Sequence, residues 1–386
     1  MVAAVRRGRS LRSVARKFRV TLATVQKWVQ RADGQQSDRV NWSDAPRGGR
    51  RAARATSRRT EDLILRVRTQ LKVSSDLGEF GAAAIHRALA ERGVKRIPTI
   101  RTIGRILLRR GALDGRQRVR RPPPPQGWYL PRVAARKAEL DSFDFVEGLV
   151  IRGGTEVMVL NGISLHGGLC GSWVRSTWRA TFTVETLMAH WREHGLPAYA
   201  QFDNDTIFLG NRMYRDAFGR VIRLCLQLGV TPVFAPPKET GFQAAIENYN
   251  GRWQAKVWSR FEYEDLDALS LQSDRFVNAA RCRSAPRIEA APPRHPFSKS
   301  WKLDLQLPLL GTVVFLRRTN EHGAVEVLLR RFPVDPLWPH RLVRIEVDLS
   351  KHEIRFYRLR RRQPDQQPLI KTVPYTPPTK PFRDHL

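Results

Sequence analysis

The spacing of apolar residues is helical near the N-terminus, strand-like in the middle of the chain and alternating near the C-terminus. Residues 8–34 hold two short apolar faces at helical spacing, one from Leu11 to Phe18 and one from Val25 to Val29. The residues between them predict a turn, and Thr21 is well placed to cap the second helix. This pattern predicts a pair of short helices.

A second helical segment follows a polar and basic stretch that predicts a flexible linker, residues 35–59. Residues 61–71 are amphipathic, and residues 80–113 repeat the two-helix plan. Gly93 is expected to end one of these helices, and Pro98-Thr99 to begin the next.

An Arg-rich and Pro-rich stretch then separates the helical part from the rest of the chain. Its four consecutive prolines favour an extended polyproline spacer, so residues 114–137 predict a strut between domains.

From residue 138 the pattern changes to short strands between helices, which predicts an α/β domain over residues 138–295. The expected order is three strands followed by helix, strand, helix, strand and helix. The predicted strands are 140–151, 156–165, 176–183, 198–202 and 230–235, and the predicted helices are 183–195, 210–229 and 239–261.

Short alternating strands separated by turns continue after residue 295. They predict a small basic β-barrel over residues 296–365. The Pro-rich residues 366–386 predict a disordered tail. The fold expected for the whole chain is therefore a multidomain α/β architecture.

Basic residues are concentrated at the two ends of the chain. Residues 1–137 contain 34 Lys and Arg against 9 Asp and Glu, a net charge of +25. Residues 138–295 have a net charge of −1, and residues 296–386 a net charge of +8. A basic excess on this scale indicates a polyphosphate partner, and the clustering fits that interpretation better than a merely solvated surface.

Composition excludes several other classes. No apolar run approaches the roughly 18–20 residues that span a bilayer, so no membrane partner is expected. The N-terminus has no continuous apolar segment of the kind found in secretion signals. The three widely spaced cysteines form neither a disulfide framework nor a CxxC site, which favours a cytoplasmic location.

Carboxylates recur at three places in the middle domain. Asp141 and Asp144 compete for the first place in the first strand, Asp203 follows the strand 198–202, and Glu247 lies in the helix after the PPKETG loop. A polar turn at Asp203-Asn204-Asp205 is the plainer alternative to a metal-binding carboxylate.

The element order and the segments FDFVEG, GLPAYAQFDND and PPKETGFQAAIENYNGRW resemble the RNase H-like catalytic core of DDE transposases and retroviral-type integrases. The resemblance covers about a third of the chain and implies Asp144, Asp203 and Glu247 as catalytic metal ligands, with Asp141 as the alternative to Asp144. Two features depart from the family pattern. Asp205 stands where glycine is usual, and the 43 residues between Asp203 and Glu247 are a longer interval than usual.

The helical segments resemble the helix-turn-helix modules that accompany this core in insertion-sequence transposases. A structural helical hairpin is the alternative. Side chains expected to face DNA lie on the second helix of each pair: Thr24, Gln26, Lys27 and Arg31 in the first, and Arg101, Thr102 and Arg105 in the second.

The implied domains are a helix-turn-helix at 1–34, a basic linker at 35–59, a second DNA-binding domain at 60–113, a linker at 114–137, the catalytic core at 138–295, the barrel at 296–365 and the tail at 366–386.

The implied chemistry is metal-dependent transfer of a phosphodiester. Three carboxylates supply the hard oxygen ligands that two Mg²⁺ ions prefer, and Mn²⁺ could substitute. Asp205 is expected to be solvated, and Asn204 to support the turn or touch DNA. Further DNA contacts are expected near the core from Lys238, Gln243, Asn250 and Arg252. For Gln243 and Asn250 a plain polar helix surface is an equally good interpretation.

His190 and His194 have a spacing compatible with zinc, but no third ligand is evident. We therefore interpret them as residues at the C-terminal end of a helix. No GxxxxGK[ST] motif is present, so any ATP hydrolysis would come from a separate helper protein.

The leading function is a transposase or integrase that binds element ends, cleaves their 3′ ends and joins them to target DNA. It would act on double-stranded DNA as a homo-oligomer, in association with the nucleoid. The alternative is a DNA-binding regulator, derived from a transposase, whose core has lost catalysis. A plain RNase H-like nuclease would leave the two helical modules without a purpose.

Overall fold

The structure is a computed structural model that describes residues 1–44, 56–113, 126–210, 215–237, 239, 241–378 and 382. Residues 45–55 and 114–125 of the two predicted linkers, and the candidate Lys238, lie outside this description. The chain divides into two compact units, Met1–Thr60 and Glu61–Leu386. Among the described helices, none has the length and apolar character needed to cross a membrane.

In the first unit the described residues form α1 (Val2–Arg6), α2 (Leu11–Lys17) and α3 (Leu22–Arg31). The Thr21 hydroxyl accepts a hydrogen bond from the backbone N–H of Thr24 over 3.2 Å, so the predicted cap of α3 is present. Val14 and Val25 are fully buried between α2 and α3. Phe18, which the apolar pattern assigned to this core, is exposed instead.

The second helical segment contains α4 (Arg58–Ser74), α5 (Ala82–Glu91) and α6 (Ile100–Arg109). The sequence predicted that this last helix begins at Pro98-Thr99, and Thr99 caps α6 by accepting from the N–H of Thr102 over 3.3 Å. Gly93 follows α5 with a φ of +69°, a conformation that favours glycine. The core of this segment consists of Ile64, Val67, Ile85, Ala88, Leu89, Ile103, Ile106 and Leu107.

Five strands, which come after the short helix α7 (Pro131–Ala134) in the sequence, form the centre of the second unit. The strands are β1 (Leu140–Val150), β2 (Glu156–Ser164), β3 (Cys170–Arg175), β4 (Tyr199–Phe202) and β5 (Thr231–Phe234). Their order in space is β3-β2-β1-β4-β5. The first three are antiparallel, and β1, β4 and β5 are parallel. This mixed sheet is consistent with an RNase H-like core.

Helices cover both faces of the five strands. They are α8 (Ala180–His194), α9 (Thr206–Leu209), α10 (Arg220–Gln227), α11 (Ala244–Lys256) and α12 (Leu266–Glu289), with a 3₁₀ turn at Trp258–Arg260. On one face the α8 residue Trp191 packs edge-on against Phe143 of β1 at 6.1 Å between ring centroids. On the other face the α11 residue Asn250 reaches Asp144 of β1.

The end of α4 is fixed to the region after α11. The Arg260 guanidinium donates to the backbone carbonyls of Lys72, Val73 and Ser75 over 3.0, 2.7 and 2.5 Å. These carbonyls belong to the last turn of α4 and the residue after it, where a helix lacks its own donors and a cation is favourable. The second helical segment is therefore joined to the 3₁₀ turn that follows α11.

Two predicted elements differ from the structure, and one long helix was not predicted. The third strand is at Cys170–Arg175 and not at 176–183, because residues from Ala180 onward already belong to α8. The helix predicted at 210–229 is shorter, since α10 covers Arg220–Gln227. The long helix α12 was not predicted.

The C-terminal strands join the same sheet. They are β6 (Thr312–Arg318), β7 (Ala324–Val327), β8 (Arg330–Pro333), β9 (Leu342–Asp348), β10 (Glu353–Arg358) and β11 (Leu369–Pro374). In the described part of the chain, nine strands run in the order β11-β10-β9-β6-β5-β4-β1-β2-β3, and β7 and β8 form a separate hairpin.

The separate small β-barrel expected over residues 296–365 is therefore not what these strands form. β6 pairs in parallel with β5, and Phe315 stacks on Phe234 at 5.1 Å between ring centroids. Pro232, Val233 and Phe234 make both faces of β5 largely apolar and buried, and an open edge on such a strand would favour pairing with another chain. The tail expected to be disordered also contributes, because Leu369–Pro374 pairs with β10.

Candidate active site

The two aspartates of β1 have different environments. Asp141 and Asp144 are three residues apart, so their side chains point to opposite faces of the sheet. Asp141 is 1% exposed and accepts two hydrogen bonds from Arg294, over 2.9 and 2.6 Å, and one from Trp191 Nε1 over 3.1 Å. Burial would raise the pKa of Asp141, but the charge and hydrogen bonds of Arg294 outweigh it and hold the pKa below its usual range. Asp141 therefore forms a buried ion pair with Arg294.

Asp144 lies on the other face, half-buried beneath α11. Its Oδ2 accepts from Asn250 Nδ2 over 2.8 Å. Burial raises the pKa of Asp144 to about 7, and the negative charges of Asp203 and, to a smaller extent, Glu247 act in the same direction. The three carboxylates that the sequence selected are thus within electrostatic reach of one another.

Strand register brings Asp203 to Asp144. Ser142 of β1 is paired with Gln201 of the parallel strand β4. Two residues further along both strands are Asp144 and Asp203, and adjacent strands lie about 4.8 Å apart. Asp203 follows the C-terminal end of β4, where its Oδ1 accepts from the backbone N–H of Asp205 over 3.0 Å.

The rest of the Asp203–Asp205 turn is structural. Asp205 was expected to be solvated, but it is the N-cap of α9 and accepts from the N–H of Ile207 over 2.7 Å. Asn204 Nδ2 donates to the carbonyl of Ala235 over 2.7 Å, so it supports the turn, which was one of its two expected roles. The polar turn and the candidate ligand therefore coexist, because different residues serve each.

Glu247 reaches the site from α11. It lies in the first turn of this helix and is exposed, one turn before Asn250 on the same side. Asn250 also accepts from Asn161 Nδ2 of β2 over 2.9 Å. The contacts of Asn250 therefore tie α11, and with it Glu247, to β1 and β2.

The donor set suits a hard divalent cation. Carboxylate oxygens are the ligands that Mg²⁺ prefers, and a cation would relieve the repulsion that raises the pKa of Asp144. Within the described residues, however, no three His, Cys, Asp or Glu side chains are arranged so that they could hold a metal ion together. The carboxylates are neighbours without converging on one point.

The residues expected to face DNA from the helical segments lie as follows. Gln26, Lys27, Arg101 and Arg105 are exposed on α3 and α6. Lys27 and Arg31 lie over the Trp28 ring, 5.8 and 5.2 Å from its centroid. Thr24 and Thr102 are partly buried, and their hydroxyls contact those of the capping residues Thr21 and Thr99 over 2.8 and 3.0 Å. Both helices begin with the same threonine pair.

The candidates near the core have different positions. Gln243 precedes the first turn of α11, and its buried Nε2 has no hydrogen-bond partner among the described residues. Asn250 is engaged with Asp144 and Asn161. Arg252 is exposed, with its guanidinium 5.6 Å from the Tyr249 ring centroid. Lys238 lies outside the described residues.

Three further residues at or behind the site were not selected from the sequence: Asn161, Arg294 and Arg317. Asn161 is a fully buried polar residue in the apolar run VMVLNGIS, which is a signal that could have been used. Arg294 and Arg317 come from remote segments, and nothing local in the sequence connects them to β1 or β4.

His190 and His194 lie in the last two turns of α8, with their ring centroids 4.9 Å apart. His190 is buried beside Phe143 and Trp173. Burial lowers its pKa to about 3, so the ring is neutral at physiological pH. His190 thus lies near the C-terminal end of a helix, as the sequence predicted, and the structure adds that it is packed in the core.

Comparisons with known proteins give structural neighbours of one kind. No family model matches the sequence, and no curated protein matches it. The HTLV-2 integrase catalytic core domain in complex with magnesium aligns at 13% identity and a TM-score of 0.26, covering 36% of this chain and 81% of that one. The catalytic core domain of BIV integrase aligns at 14% identity and a TM-score of 0.27, covering 37% and 80%.

A larger assembly also aligns. The simian T-cell lymphotropic virus intasome matches at 13% identity and a TM-score of 0.33, covering 69% of this chain and 88% of that one. These neighbours are integrases, but TM-scores this low do not establish a common fold.

Proposed function

We propose that the chain is a DDE-type polynucleotidyl transferase, a transposase or integrase that cleaves the 3′ ends of a DNA element and joins them to target DNA. One observation carries the proposal: in the parallel register of β1 and β4 Asp144 lies beside Asp203, and the hydrogen bond from Asn250 to Asp144 holds α11, which bears Glu247, against β1. Asp144 on β1 has its pKa raised to about 7 by burial together with the charges of Asp203, after β4, and Glu247, on α11. Three carboxylates from separate elements thus lie within electrostatic reach of one another, near the place where the C-terminal end of β4 adjoins β1.

Asp144, Asp203 and Glu247 are the residues that would hold two Mg²⁺ ions, or Mn²⁺ in their place. When bound, such ions supply positive charge for the attacking and leaving oxygens of an in-line phosphoryl transfer. The protein's own part is orientation. The N–H of Asp205 fixes one oxygen of Asp203, and Asn250 fixes one oxygen of Asp144.

Double-stranded DNA is the proposed partner. The first 137 residues carry a net charge of +25, and α3 and α6 present basic side chains at their surfaces. Each threonine-capped helix would enter a major groove of the element end. Joining two ends requires two active sites, so the protein would act as a homo-oligomer on DNA. A helper ATPase and association with the nucleoid belong to the same proposal.

The proposal is tested by a joining assay with labelled element ends and Mg²⁺, using DNA that flanks the gene as the source of the ends. Asp203→Asn should abolish cleavage and strand transfer while end binding persists. Asp205→Asn is the matched control, because asparagine is an equally good helix cap and this carboxylate is assigned to α9. Cleavage by the Asp203→Asn variant would refute the assignment.

The alternative is a DNA-binding regulator with an inactive core. The described carboxylates do not converge, and Asn250 occupies one oxygen of Asp144. Specific binding of the ends by the wild-type protein, with no cleavage in either Mg²⁺ or Mn²⁺, would favour this alternative.

A further inference from the structure

A strand outside the five-stranded core reaches the turn that carries Asp203. Arg317, the sixth residue of β6, donates from Nη2 to Oδ1 of Asn204 over 2.8 Å. Its Nη1 donates to the carbonyls of Leu316, over 2.8 Å, and of Ala235, over 3.3 Å. Arg317 is half-buried, so these contacts are partly shielded from water.

The contacts join the ends of three parallel strands. β4, β5 and β6 run in the same direction, so their C-terminal ends lie at one edge of the sheet. Asn204 follows β4, Ala235 follows β5, and Arg317 is near the end of β6. Because Asn204 also donates to the Ala235 carbonyl over 2.7 Å, the three residues form a closed triangle of hydrogen bonds.

Asn204 transmits this constraint to Asp203. It stands between Asp203 and Asp205, whose N–H bonds the Asp203 carboxylate over 3.0 Å. Asp205 in turn accepts from Ile207, in the first turn of α9. A rotation at Asn204 would therefore displace both the carboxylate of Asp203 and the cap of α9.

We propose that Arg317 is a positioning residue for the carboxylate site: through Asn204 it fixes the turn that presents Asp203 to Asp144. This inference rests on the proposed function for its effect on catalysis, but the ordering of the turn is a property of the fold alone. β6 thus supplies a part of the site that the first five strands lack. A direct contact between Arg317 and a DNA phosphate is the competing role.

The first measurement needs no activity. Hydrogen exchange is followed by mass spectrometry over residues 203–209 in the wild-type protein and in Arg317→Gln, Arg317→Lys and Arg360→Gln. Arg360→Gln is the matched control, because it removes an equal charge just after β10, where Arg360 lies over Trp338 and donates to Gln363. Arg317→Gln should exchange faster in this segment at an unchanged melting temperature, and Arg360→Gln should not.

The second measurement separates positioning from DNA contact. Arg317→Gln should lower kcat about 10- to 100-fold with little change in KM for the DNA ends, because a displaced ligand affects the chemical step. Arg317→Lys should recover part of kcat, since lysine keeps the charge but lacks the planar fork. The charge itself would be the whole effect if lysine restored kcat fully, and the proposal would then be wrong.

Other results would also overturn it. A raised KM with a smaller salt dependence of binding and unchanged exchange would assign Arg317 to a DNA phosphate. Unchanged exchange and unchanged kcat in Arg317→Gln would show that Arg317 has no role at the site. If Arg317→Gln does not fold, the exchange of Arg317→Lys decides, with faster exchange expected. A wild-type protein without cleavage would refute the proposed function, yet the exchange result would still decide whether Arg317 orders the turn.

Discussion

Asn250 donates from Nδ2 to Oδ2 of Asp144 over 2.8 Å, which ties helix α11 to strand β1. The same side chain accepts from Asn161 on β2, so an amide chain crosses three elements. Glu247 precedes Asn250 by one helical turn. The hydrogen bonds of Asn250 therefore fix the distance between Glu247 and Asp144. A neutral donor thereby holds together a group of like charges.

The Asp144→Asn variant is expected to lose cleavage and strand transfer and to become more stable. The substituted amide would keep an oxygen for Asn250, while the change removes a buried charge that Asp203 and Glu247 repel. The free energy of unfolding should rise by on the order of 1–3 kcal/mol at alkaline pH, where the wild-type carboxyl is ionised. Urea denaturation measures this free energy. Lower stability of the variant would contradict the view that Asp203 and Glu247 repel the charge on Asp144.

The Asp141→Asn variant should show the opposite behaviour. It leaves Arg294 largely buried without its countercharge, which typically costs about 3–5 kcal/mol. Cleavage by the protein that remains folded should persist, because Asp141 faces away from Asp203. Comparing melting temperature and specific activity of the two variants decides which aspartate of β1 serves the site, and inactive but fully stable Asp141→Asn protein would reverse the assignment.

His190 should make the protein less stable in mild acid. Burial lowers the pKa of His190 to about 3, whereas the unfolded chain titrates near 6.5. Between these values the unfolded state binds the extra proton, so the free energy of unfolding falls as the pH falls, by up to about 1.4 kcal/mol per pH unit. Above the unfolded pKa of 6.5 this contribution is complete and constant. The groups that face His190 are Asp141, His194, Arg281 and Arg294, of which Asp141 alone favours the charged ring.

Denaturant unfolding across the mildly acidic range up to neutral pH tests this expectation with His190→Leu, which should flatten the profile. His322→Gln is the control, since His322 is exposed. An equally steep profile for His190→Leu and the wild type would mean that another group causes the acid sensitivity.

Arg105 on α6 is expected to contact a DNA phosphate. Arg105→Gln should weaken binding to the element ends and reduce the slope of log K against log salt by about one. Arg109→Gln is a matched control on the same helix, because Arg109 is paired with Glu61. Fluorescence anisotropy at several salt concentrations gives both slopes, and equal slopes for the two variants would argue against a specific role of Arg105.

Short apolar strands bounded by turn signals could be located from the sequence. β1, β2, β4 and β5 begin and end within two residues of their predicted limits. β3 could not, because its apolar signal is interrupted by glycine. In the structure the ring of Trp173 folds over Gly171, where a Cβ would lie 2.4 Å from it. Trp173 therefore fills the space over a glycine two residues away, and a period-two pattern of apolar residues does not reveal this.

The choice between Asp141 and Asp144 also needed the structure. Both lie in one apolar strand. Their environments differ because Arg294, which follows α12 and is 153 residues away in sequence, pairs with Asp141 alone. The predicted barrel failed for a related reason. Local patterns located most of the C-terminal strands, but which strand pairs with β5 depends on contacts between segments distant in sequence.

The parallel pairing of β6 with β5 has a consequence for how this protein could be taken apart. A polypeptide that stopped before Thr312 would leave the backbone of Thr231–Phe234 open along a flat, apolar margin, ready to recruit another copy of itself. The C-terminal strands therefore cannot be replaced by an unrelated domain without exposing this edge. Any shortened or redesigned form of the protein has to keep β6 paired with β5.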